Sequence, residues 1–191
     1  GPTLAALRAA FPSTRVVEIG ASDVGAAAAA AKTVLACAIV LGPTESAAEG
    51  DLVRAVAAAN PQTAVVLERE PDSAPAWSAA APALLLTWNP VRGTPEAVAN
   101  LVAGLVAPSG HLPAPLAGVG ATAGYGLGDG LSYTTFAYSG LRVGYAHGAH
   151  PVTISFVVRN TGKRSGTAVA QLYLRLPPAA GREQVMAKLP A

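Results

Sequence analysis

A chain of 191 residues is long enough for one full domain and a smaller second one, and with 51% hydrophobic and only 13% charged residues it can build a sizeable core. Aromatic residues supply 5%, so that core must be mostly alanine, valine and leucine. A net charge of +2, with no basic cluster interleaved with aromatics, argues against nucleic acid as a partner, and the single Cys37 excludes an internal disulfide framework.

Residues 3–11 (TLAALRAAF) carry Leu4, Leu7 and Phe11 at helical spacing, and Pro12 stops the pattern. Residues 15–19 (RVVEI) read as a short strand. Ser22 or Asp23 is placed to cap an alanine-rich helix running to Lys32. Residues 34–41 (VLACAIVL) are apolar throughout, which predicts a strand of a parallel sheet buried on both faces, with Cys37 as a structural thiol in its middle. No charged segment followed by an apolar run marks a secretory leader, and Gly1-Pro2 reads as a tag-cleavage scar. The most apolar window, residues 25–41, is broken by Lys32 and is alanine-rich, so no membrane span is expected; the compartment is not set by these features.

Residues 42–50 (GPTESAAEG) form a loop, and a helix is expected over 51–60 with Asp51 as its cap. Residues 63–67 (TAVVL) are the next buried strand, residues 68–76 a polar, proline-broken loop, and residues 83–88 (ALLLTW) another strand. Pro95 opens a helix through Val106, and PSGHLP at 108–113 turns the chain. Alternating strands and helices, with about four strands, predict an α/β fold with a mostly parallel sheet flanked by helices.

Residues 116–130 are glycine-rich, but no strand leads in and no helix follows, so a connector is expected rather than a phosphate loop. Thereafter the patterns are strand-like only: residues 136–143, 152–160 and 168–176. Val152, Ile154, Phe156 and Val158 alternate with Thr153, Ser155, Val157 and Arg159, the period-two signature of a half-buried antiparallel strand. These breaks divide the chain into an α/β domain over 1–115, a connector over 116–135 and a β domain over 136–191.

Four runs fall in one order. Trp88-Asn89-Pro90-Val91-Arg92-Gly93 weakly resembles a W-x-P-G loop. Residues 107–113 (APSGHLP) are similar to an NPSGRLP turn, residues 128–136 to FGYGLSYTTF, and residues 158–173 to V-x-N-T-G-x-x-x-G-x-x-V-x-Q-L-Y. Together they resemble the C-terminal part of family-3 glycoside hydrolases. The resemblance implies an α/β sandwich followed by the start of a small, incomplete all-β sandwich of fibronectin-III type. It also implies a parent activity of β-glucosidase or β-xylosidase kind, the hydrolysis of terminal β-linked sugars, with no cofactor. The nucleophile would belong to a β/α barrel not included in these residues, leaving this chain inactive or nearly so alone. The expected partner is a β-linked glycoside or oligosaccharide, with the barrel or a second copy as the protein partner; the alternative is a non-catalytic binding or assembly module that completes its sheet with another chain.

The family's acid/base segment, of S-G-E-G-x-D-R type, is matched by Glu45-Ser46-Ala47-Ala48-Glu49-Gly50-Asp51, which makes Glu49 the first candidate and Glu45 the second. The loop would lie at the carboxyl end of a parallel strand, where such sheets bind ligands. Acidic residues also complement a helix N-terminus, and that role alone accounts for all three, so helix capping is the expectation and acid/base work the alternative. Glycoside hydrolysis needs two carboxyl groups about 5 to 9.5 Å apart. Glu68 and Glu70 follow a strand end and are expected in a solvated loop. Trp88, at the carboxyl end of its strand, is the candidate sugar-stacking residue, with core packing ahead of it for both Trp88 and Trp77. His111, His147 and His150 lack the spacing and companions of a metal site.

Overall fold

The computed structural model describes residues 1–13, 22–120, 123–145 and 152–173. The strand expected at 15–19 lies outside the described residues, as do His147, His150 and residues 174–176. Two compact units are present: residues 1–106 with 112–127, and residues 107–111 with the chain from 128 onward.

The first unit opens with α1 (Pro2–Ala10), which buries Thr3 and Leu7. Of the two caps the sequence offers, Ser22 and Asp23, it is Asp23 that caps α2 (Val24–Ala31), accepting from the Ala26 amide at 2.8 Å. There follow β1 (Cys37–Leu41), α3 (Glu49–Ala59), β2 (Thr63–Leu67), a short 3-10 turn at Ser78–Ala80, β3 (Ala83–Leu86) and α4 (Thr94–Val102). The strands form a parallel sheet in the order β1-β2-β3. In the described residues the sheet is mixed with helices as an α/β unit, as the alternating pattern predicts.

Neighbouring strand residues point to opposite faces, so adjacent buried residues report a strand covered twice. Only β2 shows this: Val65 and Val66 are both 0% exposed. β1 differs from the expectation. It begins at Cys37 rather than Val34, and it buries Ile39 and Leu41 while Val40 stays 36% exposed. The reason is its place at the side of the three strands. Ile39, Leu41, Val65 and Leu67 form one core with Ala31 of α2 and Leu52, Val53 and Val56 of α3, and β1 joins that core through one face. Trp77 belongs to the same core, the packing role expected of it. Burial of each such valine or leucine contributes roughly 1.5–3 kcal/mol. Asn60 ties the ends together: its amide nitrogen donates to the Ala31 and Val34 carbonyls, each at 3.0 Å, and its side-chain oxygen accepts from the Gln62 amide at 2.9 Å.

Cys37 stands at the start of β1, half-buried, rather than at the centre of a covered strand. Burial pushes its thiol up from the ordinary value, while a hydrogen bond with Thr63 pulls the other way. A raised thiol holds less thiolate at neutral pH, and the thiolate is the reactive form. Alkylation by iodoacetamide at pH 7.5 is therefore expected to run several-fold slower in the native chain than in the same chain unfolded in urea. Equal rates would overturn this.

Helix α4 ends at Val102, short of the expected Val106, because Gly104 takes φ +70 and the Leu105 amide turns back to the Asn100 carbonyl. Residues 116 and 125 pair backbone to backbone, with both amide-to-carbonyl distances 2.9 Å.

The second unit is built on β4 (Phe136–Tyr145) and β5 (Val152–Asn160), paired antiparallel from Phe136 opposite Asn160 to Tyr145 opposite Val152. A bulge between Ser139 and Arg142 is accommodated by Gly140 at φ +64. The strand over 152–160 forms as the alternation predicts, but neither of its faces is covered by described residues: Val157 is 58% exposed and only Ile154 is half-buried. Residues 168–173, expected to begin a further strand, carry none.

The two most family-like runs of the sequence meet in this unit. The Thr134 hydroxyl donates to Asn160 Oδ1 at 2.7 Å, the Gly162 amide donates to the same oxygen at 3.0 Å, and the Thr161 amide donates to the Thr135 carbonyl at 2.8 Å. The Asn160 amide nitrogen donates onward to the Arg164 carbonyl at 2.9 Å. The SYTTF and NTG runs are thus two halves of one hydrogen-bonded clamp.

Candidate functional site at the carboxyl edge of the parallel sheet

Register places three strand ends side by side. Leu41 of β1 stands opposite Leu67 of β2, and Leu67 opposite Leu86 of β3. The ladder runs one residue further on each side: the Glu68 amide donates to the Leu41 carbonyl at 2.8 Å, and the Thr87 amide to the Leu67 carbonyl at 3.1 Å. The loop 42–48, the pair Glu68-Arg69 and the pair Thr87-Trp88 therefore leave the sheet at one edge, the edge at which parallel sheets bind ligands.

Glu49 is the first residue of α3, which starts two residues earlier than expected. Asp51 is not the cap. It lies in the first turn and pairs at the surface with Arg54 at 2.9 Å. The start is set instead by the S-x-x-E run from Ser46 to Glu49. The Ser46 amide donates to Glu49 Oε1 at 3.3 Å, and Ser46 Oγ accepts from the Ala48 amide at 3.3 Å, a local relative of the capping box. Glu49 and Asp51 both complement the helix N-terminus.

The larger constraint on Glu49 comes from Arg69. The two side chains form a two-pronged ion pair, Nη2 to Oε2 at 2.7 Å and Nη1 to Oε1 at 3.1 Å, and Arg69 Nη1 also donates to the Gly42 carbonyl at 3.0 Å. Glu49 is only 7% exposed. Both its oxygens accept from a guanidinium whose charge is permanent. Glu45, in contrast, is exposed on the loop. Glu68 is half-buried and accepts from the Thr3 hydroxyl of α1, so it is held at the edge rather than free in solvent; Glu70 is exposed.

A shallow depression of about 190 Å³ opens beside the loop, lined by Gly42, Thr44, Ser46 and Glu49 with apolar walls from Leu41 and Leu52. Neither Glu45 nor Trp88 lines it. Trp88 lies two residues beyond β3, half-buried, with φ +57. Among the described residues it is the only non-glycine with positive φ. A bulky side chain in that region costs on the order of 1–3 kcal/mol, and such strain clusters where a side chain must be aimed.

Nothing in the local sequence singles out Arg69 between its acidic neighbours Glu68 and Glu70. The S-x-x-E spacing at 46–49 was the local signal for the true helix start. Among the described residues no group of His, Cys, Asp and Glu could hold a metal ion, and no helix is long and apolar enough to cross a membrane. His111 Nδ1 lies 2.9 Å from the Ser109 carbonyl in its own turn.

Comparison with known proteins gives a consistent answer. The family described as the glycosyl hydrolase family 3 C-terminal domain matches residues 3–148. The probable β-glucosidase L of Neosartorya fischeri is 31% identical over 94% of this chain and 31% of its own length. The probable β-glucosidase I of Aspergillus terreus is 30% identical over 67% of this chain and 20% of its own. The crystal structure of DesR, a β-glucosidase from Streptomyces venezuelae in complex with D-glucose, superposes with a TM-score of 0.72 at 24% identity, covering 88% of this chain and 28% of that one, a likeness of fold. The chain thus spans about a fifth to a third of the length of these two curated relatives.

Proposed function

The chain belongs to the glycosyl hydrolase family 3 C-terminal domain family, and from that premise we propose that it is the C-terminal part of a β-glucosidase-type enzyme, supplying one wall of a pocket for a terminal β-linked sugar. The observation that carries this reading is the convergence of the loop 42–48, Arg69 and the strained Trp88 on one edge of a parallel sheet. Trp88 offers an aromatic face to the C–H side of a pyranose. Glu45 is the carboxylate free to approach a glycosidic oxygen, and Glu49 can serve as acid/base only after leaving Arg69. A second carboxyl group, the nucleophile, is required for a retaining hydrolysis, and no run of this sequence has the look of one. In this reading the nucleophile belongs to a barrel elsewhere, and the β4–β5 unit is the beginning of a fibronectin-III-like domain.

Isolated chain incubated with p-nitrophenyl β-D-glucoside is expected to release nitrophenol at the rate of the buffer alone. Robust turnover that disappears in Glu49→Gln would overturn both the dependence on a separate barrel and the anchoring of Glu49.

One observation favours a second reading, an assembly module. Tyr145 is 82% exposed on β4, and Leu141 and Val157 are also largely exposed, so among the described residues the two-stranded ribbon offers apolar faces and open edges. Such edges pair with other strands. The occupant in this reading is a second copy of the ribbon. Sedimentation velocity distinguishes the two: a concentration-dependent dimer supports assembly, and a monomer at all concentrations discards it.

A further inference from the structure

Arg69 is the second residue beyond β2, yet among the described residues its hydrogen bonds reach back to the segment that follows β1. Its guanidinium holds the carbonyl of Gly42, the first residue after β1, and both carboxylate oxygens of Glu49, the first residue of α3. One side chain therefore spans both ends of a loop to which it does not belong. The loop's own bonds are short in range: 3.3 Å from the Ser46 amide to Glu49, 3.3 Å from the Ala48 amide to Ser46 Oγ and 3.1 Å from the Glu49 amide to the Ser46 carbonyl. They fix the last turn before the helix and leave residues 42–45 without an internal tie of this kind. A planar fork with five N–H donors can hold a carboxylate with two prongs and a carbonyl besides; an ammonium group offers a point charge in place of that geometry.

We infer that Arg69 is the positioning residue of this edge: its guanidinium, joining Gly42 to Glu49, sets the shape of the loop between them and of the depression that the loop lines. The relevance of that shape to sugar binding rests on the glycosidase reading above. The tie itself does not, and the experiment is run without any sugar, so failure of one is not failure of the other.

The measurement is hydrogen–deuterium exchange on the full chain, without urea and in low urea, comparing the amides of residues 44–48 with those of β2. Arg69→Gln is expected to speed loop exchange by about tenfold or more through openings that do not respond to low urea, the mark of a local opening, while β2 amides speed only through the loss of global stability that unpairing the buried Glu49 entails, with full urea dependence. Arg69→Lys is expected to fall between wild type and Arg69→Gln. Loop exchange unchanged in Arg69→Gln overturns the inference. So does a rise shared equally by loop and β2 with the same urea dependence, which would make Arg69 a contributor to global stability alone. If Arg69→Gln does not fold, Arg69→Lys decides: faster loop exchange that does not respond to low urea supports the inference, and a wild-type pattern, or a rise that follows urea as β2 does, overturns it.

Discussion

Glu49→Ala is expected to lower the unfolding free energy by about 3–5 kcal/mol, the cost typical of removing one partner of a buried ion pair. The physical cause is the group left behind. Arg69 would keep its charge in a place only 12% exposed, with the Gly42 carbonyl as its remaining partner among the described residues. The desolvation cost persists while most of the Coulombic return is gone. Glu45→Ala, made at an exposed loop position, is expected to change stability by no more than about 0.5 kcal/mol. Urea denaturation followed by far-UV circular dichroism checks both. The contrast matters more than either value, since both residues come from the same short acidic run. The double change Glu49→Met with Arg69→Met removes both charges together and is expected to recover much of the loss. A Glu49→Ala chain as stable as wild type would show that the pair contributes nothing and that Glu49 is free for other work.

Gly162→Ala is expected to destabilise the β4–β5 unit by roughly 2–4 kcal/mol, the sum of an overpacking cost and a disturbed hydrogen bond. A Cβ at that position would lie 2.2 Å from Thr134 Oγ1, 3.0 Å from the Thr135 amide nitrogen and 3.1 Å from Thr134 Cα. The hydroxyl cannot simply turn away, because it donates to Asn160 Oδ1, the atom that also receives the Gly162 amide. The two backbone atoms cannot move without shifting the Thr161–Thr135 bond. Gly144→Ala is the control within the same ribbon: its nearest contacts are at 3.9 Å, an ordinary separation, and no loss is expected. Amide exchange along β4 and β5 reads the effect directly. Equal protection in the two variants would remove the clamp as a stabilising feature.

Much of the fold was legible because its signals are local. The alternation over 152–160 gave β5 its observed limits, and Asp23 was a readable cap because an N-cap acts on the amide three residues ahead. The apolar run at 34–41 was harder. Apolarity announces a strand but not how many faces are covered, and β1 is covered on one because of its place beside β2. The start of α3 lies two residues before the one the sequence favours, since Asp51 is as good a cap in isolation as the Ser46–Glu49 pair, and only the chain path before the helix chooses between them. The candidate site shows the same division. The acidic run was visible, and so was its place after a strand. That Glu49 is buried and Glu45 exposed was not, because both stand in one polar loop of unremarkable composition.

By itself the sequence determined the class of the fold, the alternation of its elements along the chain and the family to which it belongs, since periodicity, caps and short motifs are properties of neighbouring residues. Only the tertiary structure decided which carboxylate is tied down and by what. Arg69 and Glu49 are twenty residues apart, and they meet because the parallel register of Leu41 with Leu67 sets the two strand ends side by side. That register is fixed by the burial of Ile39, Leu41, Val65 and Leu67 in one core. A pairing set by the packing of a core leaves no mark in the residues on either side of the pair.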